Sequence, residues 1–233
     1  MNAPAHAAPP TLAPAARARR WAEFLALYAG IPALLWAFAR GRPVALPVLW
    51  SIALVVGLCL RRDPSFDRSV LRRWRADRRA WRRIVLRFIL SSAAMAALVA
   101  WRLPGHLLDF PRQRPDIWAL VVVLYPLLSV YPQGLLARVL FVHRYGALFP
   151  SSLLRRLAGA AAFSLMHTVF NNPWAMGLTF AGGWFFLDTY ERTRSQNLAS
   201  LEHGLYGDAA FTLGFGRFFY NGTRAVVESM SMP

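Results

Sequence analysis

The chain has 233 residues, of which 56% are hydrophobic, and its mean hydropathy is +0.34. Its formal net charge is +16, and its basic side chains other than histidine are all arginine. The arginines lie mainly between apolar runs, which is typical of a multi-pass membrane protein, and without a nucleic-acid motif the charge does not indicate a nucleic-acid partner. The single cysteine, Cys59, excludes an internal disulfide and has no spacing typical of a thiolate metal site.

The first residues divide into a tail and two apolar runs. Residues 1–16 are rich in Ala and Pro without periodicity, which predicts a disordered tail. Residues 21–39 follow a group of arginines and predict a first membrane helix; the alternative is a signal peptide that ends at Ala37-Phe38-Ala39. The run is long for a signal peptide, and a second run at residues 43–60 follows after a short turn, so we favour the helix.

Residues 61–83 form the most basic part of the chain, and this density of arginine predicts a cytoplasmic location. Val70, Trp74, Arg78 and Trp81 recur at helical spacing. We therefore expect a basic interfacial helix with its tryptophans among lipid headgroups and its arginines on anionic lipid. The alternative is a surface that binds a partner protein.

Five further helices are predicted, at residues 84–101, 117–142, 157–170, 173 to about 190, and 198–220. Residues 102–116 form an irregular external loop, Pro126 and Pro132 interrupt the fourth helix, and Asn172 caps the sixth. The fold class expected is therefore all-α, a polytopic membrane helix bundle with about seven transmembrane helices plus the basic interfacial helix. The distribution of arginine between alternate loops predicts a cytoplasmic N-terminus.

Polar side chains occur within segments that are otherwise apolar enough for lipid. Gln133 and Arg138 are the first of these, and such groups usually face a protein interior or a water-filled cavity. Alternatively, Arg138 extends to the cytoplasmic surface and Gln133 makes a hydrogen bond between packed helices. At 1.5 Å per residue, Gln133, His167 and His203 each fall roughly 13 to 15 Å from the cytoplasmic face. Three helices would thus bring polar groups to one level, which predicts a shared polar cluster.

Three short motifs contain these residues. They are Gln133-Gly134-x-x-x-Arg138, Phe163-x-x-x-His167 and His203-x-x-x-Gly207. Their order and spacing resemble the CAAX protease and bacteriocin-processing (CPBP) family of intramembrane proteases, in a bacterial branch. That family carries Glu-Glu-x-x-x-Arg or Gln-Glu-x-x-x-Arg, then Phe-x-x-x-His, then a His followed four residues later by Asn or a small residue. The resemblance covers about residues 118–220.

The resemblance implies an endopeptidase in the bacterial inner membrane that hydrolyses membrane-anchored peptides or proteins. In the family a motif glutamate activates water, and the two histidines polarise the scissile carbonyl or bind water or metal. It implies a catalytic core at 117–220, after N-terminal transmembrane helices at 17–116 and before a C-terminal tail at 221–233. The expected partners are membrane lipid and a membrane-anchored substrate. No cofactor is firmly implied, although a divalent metal such as zinc would be held by His167 and His203.

The chain departs from the family pattern where the carboxylates should be. Gln133 cannot take a proton at working pH and Gly134 offers only backbone, while Gly207 replaces the Asn that would help to hold an oxyanion. Glu202, beside His203, is the candidate substitute base or orienting group; its alternative role is helix packing. The competing interpretation of the whole chain is a silenced CPBP-like protein that serves as a binding, immunity or scaffold protein. Gly134→Glu would restore the Gln-Glu-x-x-x-Arg form.

Overall fold

The structure, a computed structural model, describes residues 12–39, 42 and 44–219, and this part of the chain contains helices but no strand. Seven continuous helical segments of 14 residues or more occur within it. They are α1 (Pro14–Ala39), α2 (Ala45–Arg62), α3 (Arg78–Arg102), α4 (Pro115–Leu148), α5 (Ser152–Leu165), α6 (Pro173–Thr193) and α7 (Gln196–Leu213). Four of them, α1 to α4, are long and apolar enough to cross a membrane. The all-helical class is therefore confirmed.

Several helix ends differ from the prediction, and local capping explains them. Because Pro14 suits the first turn of a helix, α1 begins there, and residues 14–16 of the expected tail are helical. The Ser151 side chain accepts a hydrogen bond from Leu154 N, so α5 begins five residues earlier than expected. Gly214 has φ 113° and ends α7 at Leu213. Residues 1–11 and the expected tail at 221–233 lie outside the described residues.

The basic segment between α2 and α3 is not a continuous helix. Its regular structure is a 3₁₀ turn at Arg68–Leu71, followed by irregular chain up to the start of α3. Aspartates explain the interruption, because Asp63, Asp67 and Asp77 accept hydrogen bonds from backbone N–H groups two or three residues later. Each such bond begins a new turn, so the helical spacing of the tryptophans in this region does not correspond to one helix.

The most arginine-rich segments of the chain meet at one end of the bundle, here termed the arginine-rich end (residues 17–23, 61–83, 143–156 and 187–196). Arg144 Nη2 lies 2.6 Å from Glu23 Oε2, which joins α4 to α1. His143 Nε2 lies 2.8 Å from Asp63 Oδ2, which joins α4 to the basic segment. The segments that were expected on one side of the membrane are thus in mutual contact.

Asp188 is the centre of this end of the bundle. Its side chain is 1% exposed and accepts from arginines on three helices: Arg87 Nη2 on α3 at 2.7 Å, Arg156 Nη1 on α5 at 2.8 Å and Arg192 Nε on α6 at 2.7 Å. Hydrogen-bonded ion pairs of this kind are short and strong, and removal of one partner leaves buried charge uncompensated. Asp188 therefore ties α3, α5 and α6 together.

Two π-helical stretches interrupt α4, at Pro126–Val130 and Leu135–Tyr145. Pro126 lacks an N–H group, so a hydrogen bond of the preceding turn is lost, and Tyr131 N then donates to Pro126 O, five residues back. The helix continues through both stretches without a break. Tyr125, Ser129 and Gln133 recur four residues apart along this part of α4 and line one cavity.

Candidate functional site

A cavity of about 510 Å³ opens within the bundle and is lined by residues of all seven helices and of the chain that follows α5. Most of its lining is aliphatic or aromatic. Of the residues proposed from sequence, Gln133, His167, His203 and Gly207 line it, whereas Gly134, Arg138 and Glu202 do not. Gln133, His167 and His203 thus line one largely apolar cavity, and no hydrogen bond joins any two of them among the described residues.

His203, on α7, is enclosed by side chains of α4, α5 and α6. Its ring stacks on Phe186, with centroids 4.5 Å apart, and meets the Phe163 ring edge-on at 5.2 Å. Nε2 lies 3.1 Å from the Tyr125 hydroxyl, and Nδ1 lies 3.4 Å from Arg138 Nη1. Both ring nitrogens are therefore engaged, and the imidazole has little freedom to rotate.

Arg138 lies behind His203 and is 2% exposed, and its hydrogen-bond partners are neutral side chains. Nε donates to Gln196 Oε1 and Nη2 to Ser200 Oγ, both at 3.3 Å. Among the ion pairs of the described residues, none includes this arginine. Arg138 is thus a buried donor that supports His203 and does not extend to the surface.

His167 lies beyond the end of α5 rather than within a helix. The helix ends at Leu165, and a turn leads through His167 into a 3₁₀ helix at Thr168–Phe170. The ring packs edge-on against Phe163, with centroids 4.7 Å apart, and its Nδ1 lies 2.7 Å from the Phe163 carbonyl oxygen. Phe163 therefore touches both histidines of the site and spaces them apart.

Gln133 contributes an amide to the cavity wall. Its Nε2 donates to Ser129 Oγ at 2.7 Å, four residues earlier on α4, and its Oε1 has no hydrogen-bond partner within the described part of the chain. A buried amide oxygen without a partner is costly. That oxygen is itself buried, so Gln133 offers no free acceptor at the cavity surface in this arrangement.

Other side chains cover the two glycines of the motifs, Gly134 and Gly207. A Cβ at residue 134 would lie 2.8 Å from Arg138 Cζ and closer still to Arg138 Nη2 and Gln196 Nε2. A Cβ at residue 207 would lie 2.5 Å from the Tyr125 hydroxyl oxygen and 2.6 Å from its Cζ. The space that a side chain at either position would occupy is thus filled by groups that make polar contacts within the site.

Glu202 faces away from the cavity. It is 0% exposed, and its polar neighbours include Thr189 on α6 and Arg87 on α3, whose Nη1 lies 4.0 Å from Glu202 Oε1. Adjacent residues on a helix point about 100° apart, so neighbours in sequence need not share a face. The structure therefore does not bring Glu202 to a position from which it could act on a molecule in the cavity.

The donor set of the site does not fit zinc. Structural and catalytic zinc sites use at least three His, Cys, Asp or Glu ligands, and no group of three such side chains comes together anywhere in the described residues. Around His167 and His203 the remaining polar groups are amide, phenol and guanidinium. We therefore derive no step through a metal.

No protein-family model, curated protein or solved structure matches this chain. The site is accordingly interpreted from its own geometry.

Sequence reasoning missed two side chains of the site, Tyr125 and Gln196. Gln196 had a usable signal, because Gln196, Ser200, His203 and Gly207 recur at helical spacing and mark one polar or small face of α7. Tyr125 had a comparable signal, because Tyr125, Ser129 and Gln133 recur four residues apart on α4 and all line the cavity.

Proposed function

We propose that this chain is an intramembrane endopeptidase of the CPBP type, which hydrolyses a peptide bond of a membrane-anchored substrate within its cavity. One observation carries the proposal. Gln133, His167 and His203 come from separate parts of the chain and line one apolar cavity, as expected of a site that receives a lipid-soluble segment and acts on its backbone.

The lining of the cavity supports a substrate that is largely apolar. An acyl or prenyl anchor, or the aliphatic side chains of a membrane peptide, would contact the hydrophobic walls. The carbonyl and N–H groups of its backbone would meet the polar side chains that line the cavity, Gln133, His167 and His203.

We further propose the topology that this function requires. All seven helical segments cross the bacterial inner membrane, with the N-terminus and the arginine-rich end on the cytoplasmic side. The contacts of Glu23 with Arg144 and of Asp63 with His143 support a common side for these segments. The arginines of the segment between α2 and α3 then lie against anionic lipid headgroups.

A second candidate function rests on a different observation. No Asp or Glu lines the cavity within the described residues, so the group that activates water in the related motifs has no equivalent there. A protein that binds a membrane-anchored peptide without cutting it, as an immunity or scaffold protein would, needs only the apolar walls and the polar contacts.

The experiment is a cleavage and binding assay with purified protein in lipid nanodiscs and a panel of fluorescent lipid-anchored and tail-anchored peptides. We expect cleavage by the wild type that is lost in His167→Ala and His203→Ala. It should be retained in His143→Ala, because His143 lies at the arginine-rich end and pairs with Asp63. A chelator should have no effect. Binding without cleavage, lost in the same two variants, would favour the binding protein.

A further inference from the structure

Tyr125 is a residue of the cavity wall that none of the sequence motifs includes. Its hydroxyl oxygen lies 3.1 Å from His203 Nε2. Its ring lies over Gly207 and meets the Phe211 ring edge-on, with centroids 5.1 Å apart. Only a glycine at residue 207 allows this position, because any Cβ there would overlap the phenol. Contacts with Gly207 and Phe211, both on α7, therefore hold the phenol in place beside His203.

The hydrogen bonds around His203 have a direction that the chemistry of arginine determines. A guanidinium only donates, so Arg138 Nη1 donates to His203 Nδ1, which must be the unprotonated nitrogen. In a neutral imidazole the proton is then on Nε2. Nε2–H donates to the Tyr125 oxygen, and the Tyr125 O–H proton remains available for an acceptor in the cavity.

His167 has the opposite tautomer. A backbone carbonyl only accepts, so His167 Nδ1 carries the proton that it donates to Phe163 O. The lone pair of the neutral ring is then on Nε2, for which no hydrogen bond to another described residue is found. His203, through Tyr125, thus presents a proton donor to the cavity, and His167 presents a proton acceptor.

Other phenols near the cavity do not offer the same group. Tyr28 also lines it, but its hydroxyl donates to Leu136 O at 2.7 Å and is thereby occupied. Tyr206 also lines it, but its oxygen lies 3.5 Å from Ser91 Oγ, and no hydrogen bond joins it to a histidine within the described residues. Among the described tyrosines, Tyr125 alone is joined to a histidine by a hydrogen bond.

We infer that Tyr125 is a catalytic residue that donates a hydrogen bond to the substrate carbonyl oxygen, and that His167 Nε2 is the base that activates water. This deepens the proposed peptidase function and rests on it. Water attacks the carbonyl carbon and gives a proton to His167 Nε2, while the Tyr125 O–H holds the new oxyanion. The C–N bond then breaks, and the proton on His167 Nε2 passes to the leaving amine. No carboxylate is needed, and Arg138 acts as a positioning residue through His203.

The first test measures the direction of the hydrogen bonds and needs no substrate. Solid-state ¹⁵N NMR of histidine-labelled protein in bilayers should find His203 protonated on Nε2 and His167 on Nδ1, with signals assigned by His203→Gln and His167→Gln. Tyr125→Phe should shift the His203 Nε2 signal and leave His167 unchanged. The same tautomer in both histidines would overturn the inference, whether or not the protein cleaves a peptide.

The second test measures turnover with the peptide panel. Loss of one oxyanion donor lowers kcat by about 10²–10³-fold, so Tyr125→Phe should do so with little change in KM. Tyr131→Phe, a tyrosine of the same helix outside the cavity, is the control.

Gly207→Ala should resemble Tyr125→Phe because its Cβ displaces the phenol, whereas Gly204→Ala should not, since its Cβ meets only Pro126 at 3.6 Å. Full activity of Tyr125→Phe would overturn the catalytic role. Absence of cleavage in every protein, with the expected tautomers, would overturn the proposed reaction but leave the donor and acceptor assigned.

Discussion

The guanidinium of Arg138 folds back over the Cα of Gly134, one turn earlier on the same helix, and closes the space in which a side chain would stand. A Cβ at residue 134 would lie 2.8 Å from Arg138 Cζ. Gln196 reaches the same place from α7 and accepts a hydrogen bond from Arg138 Nε. The first motif is therefore a packed contact between α4 and α7 in which a neutral amide faces the buried arginine.

Gly134→Glu is expected to destabilise the protein, although from sequence alone it restores the family motif. The new side chain must displace Arg138 and Gln196, and each buried group left without a partner costs about 1–3 kcal/mol. That corresponds to a Tm lower by roughly 2–12 °C for a chain of this size. Adding Gln196→Ala makes room and lets the new carboxylate pair with Arg138, so the double variant should recover most of the lost Tm.

The measurement is thermal unfolding in detergent of the wild type, both single variants and the double variant. Gln196→Ala alone is the control for loss of the amide. If the two substitutions lower Tm additively, the new carboxylate does not meet Arg138 and this account of the contact is wrong.

Asp188→Asn should be among the most damaging substitutions outside the cavity. It leaves Arg87, Arg156 and Arg192 without their shared negative charge, and removal of one partner from a buried ion pair costs on the order of 3–5 kcal/mol. We expect a strongly lowered Tm and poor recovery from membranes.

Asp116→Asn provides the matched control, because Asp116 forms an ion pair with Arg114 that is largely exposed, at 3.1 Å. Exposed pairs contribute little, so its Tm should stay at the wild-type value. Similar effects of the two substitutions would contradict the structural role of Asp188.

The contribution of Asp63 to the stability of the fold should decrease as the pH falls into the acid range. Hydrogen bonds from His143 and Ser65 hold the pKa of the Asp63 carboxyl well below its ordinary value of 3.8. A carboxylate whose pKa falls on folding stabilises the fold above its ordinary pKa, and this contribution is lost as the pH falls through the pKa of the folded state. The Tm difference between wild type and Asp63→Asn should thus be greatest above about pH 5 and shrink below about pH 4.

Substitutions of His143 and Ser65 compare how much each hydrogen-bond donor lowers the pKa of Asp63. His143→Ala should reduce the acid-dependent part of that difference more than Ser65→Ala, since the bond from His143 is the larger cause of the low pKa. A Tm difference that does not vary with pH in this range would contradict the assignment to Asp63.

The proposed topology predicts which cysteines react in intact cells. In a Cys59→Ala background, Gln113→Cys should react with an impermeant thiol reagent, whereas Ser69→Cys should react only after the membrane is permeabilised. Both positions are exposed, so burial does not bias the comparison. Labelling of Ser69→Cys in intact cells would reverse the orientation and remove the cytoplasmic assignment of the arginine-rich end.

The sequence predicted the helices well because their apolar runs are long and their ends carry Pro, Asn or Gly at characteristic positions. It also predicted that Gln133, His167 and His203 would share one site, since an isolated polar group in such a segment is costly, and the three residues line one cavity. It failed for Glu202, because adjacency to His203 in a helix places the two side chains on different faces. It missed Tyr125, which lies outside the three motifs, although Tyr125, Ser129 and Gln133 recur four residues apart on α4.

The π-helical stretch after Tyr125 changes the direction in which later side chains of α4 point, as the insertion of one residue would. In a regular α-helix, side chains eight residues apart differ by roughly 80° in direction and lie on one broad face. Hydrogen bonds that span five residues instead of four take up about one extra residue, and this brings the direction of Gln133 closer to that of Tyr125. Residues 126–130 therefore help to set the phase of Gln133, and the second stretch at Leu135–Tyr145 changes the phase of the residues after it. Removal of one residue from this stretch would turn Arg138 and Gln133 together by about 100°, which changes the site without altering any of its side chains.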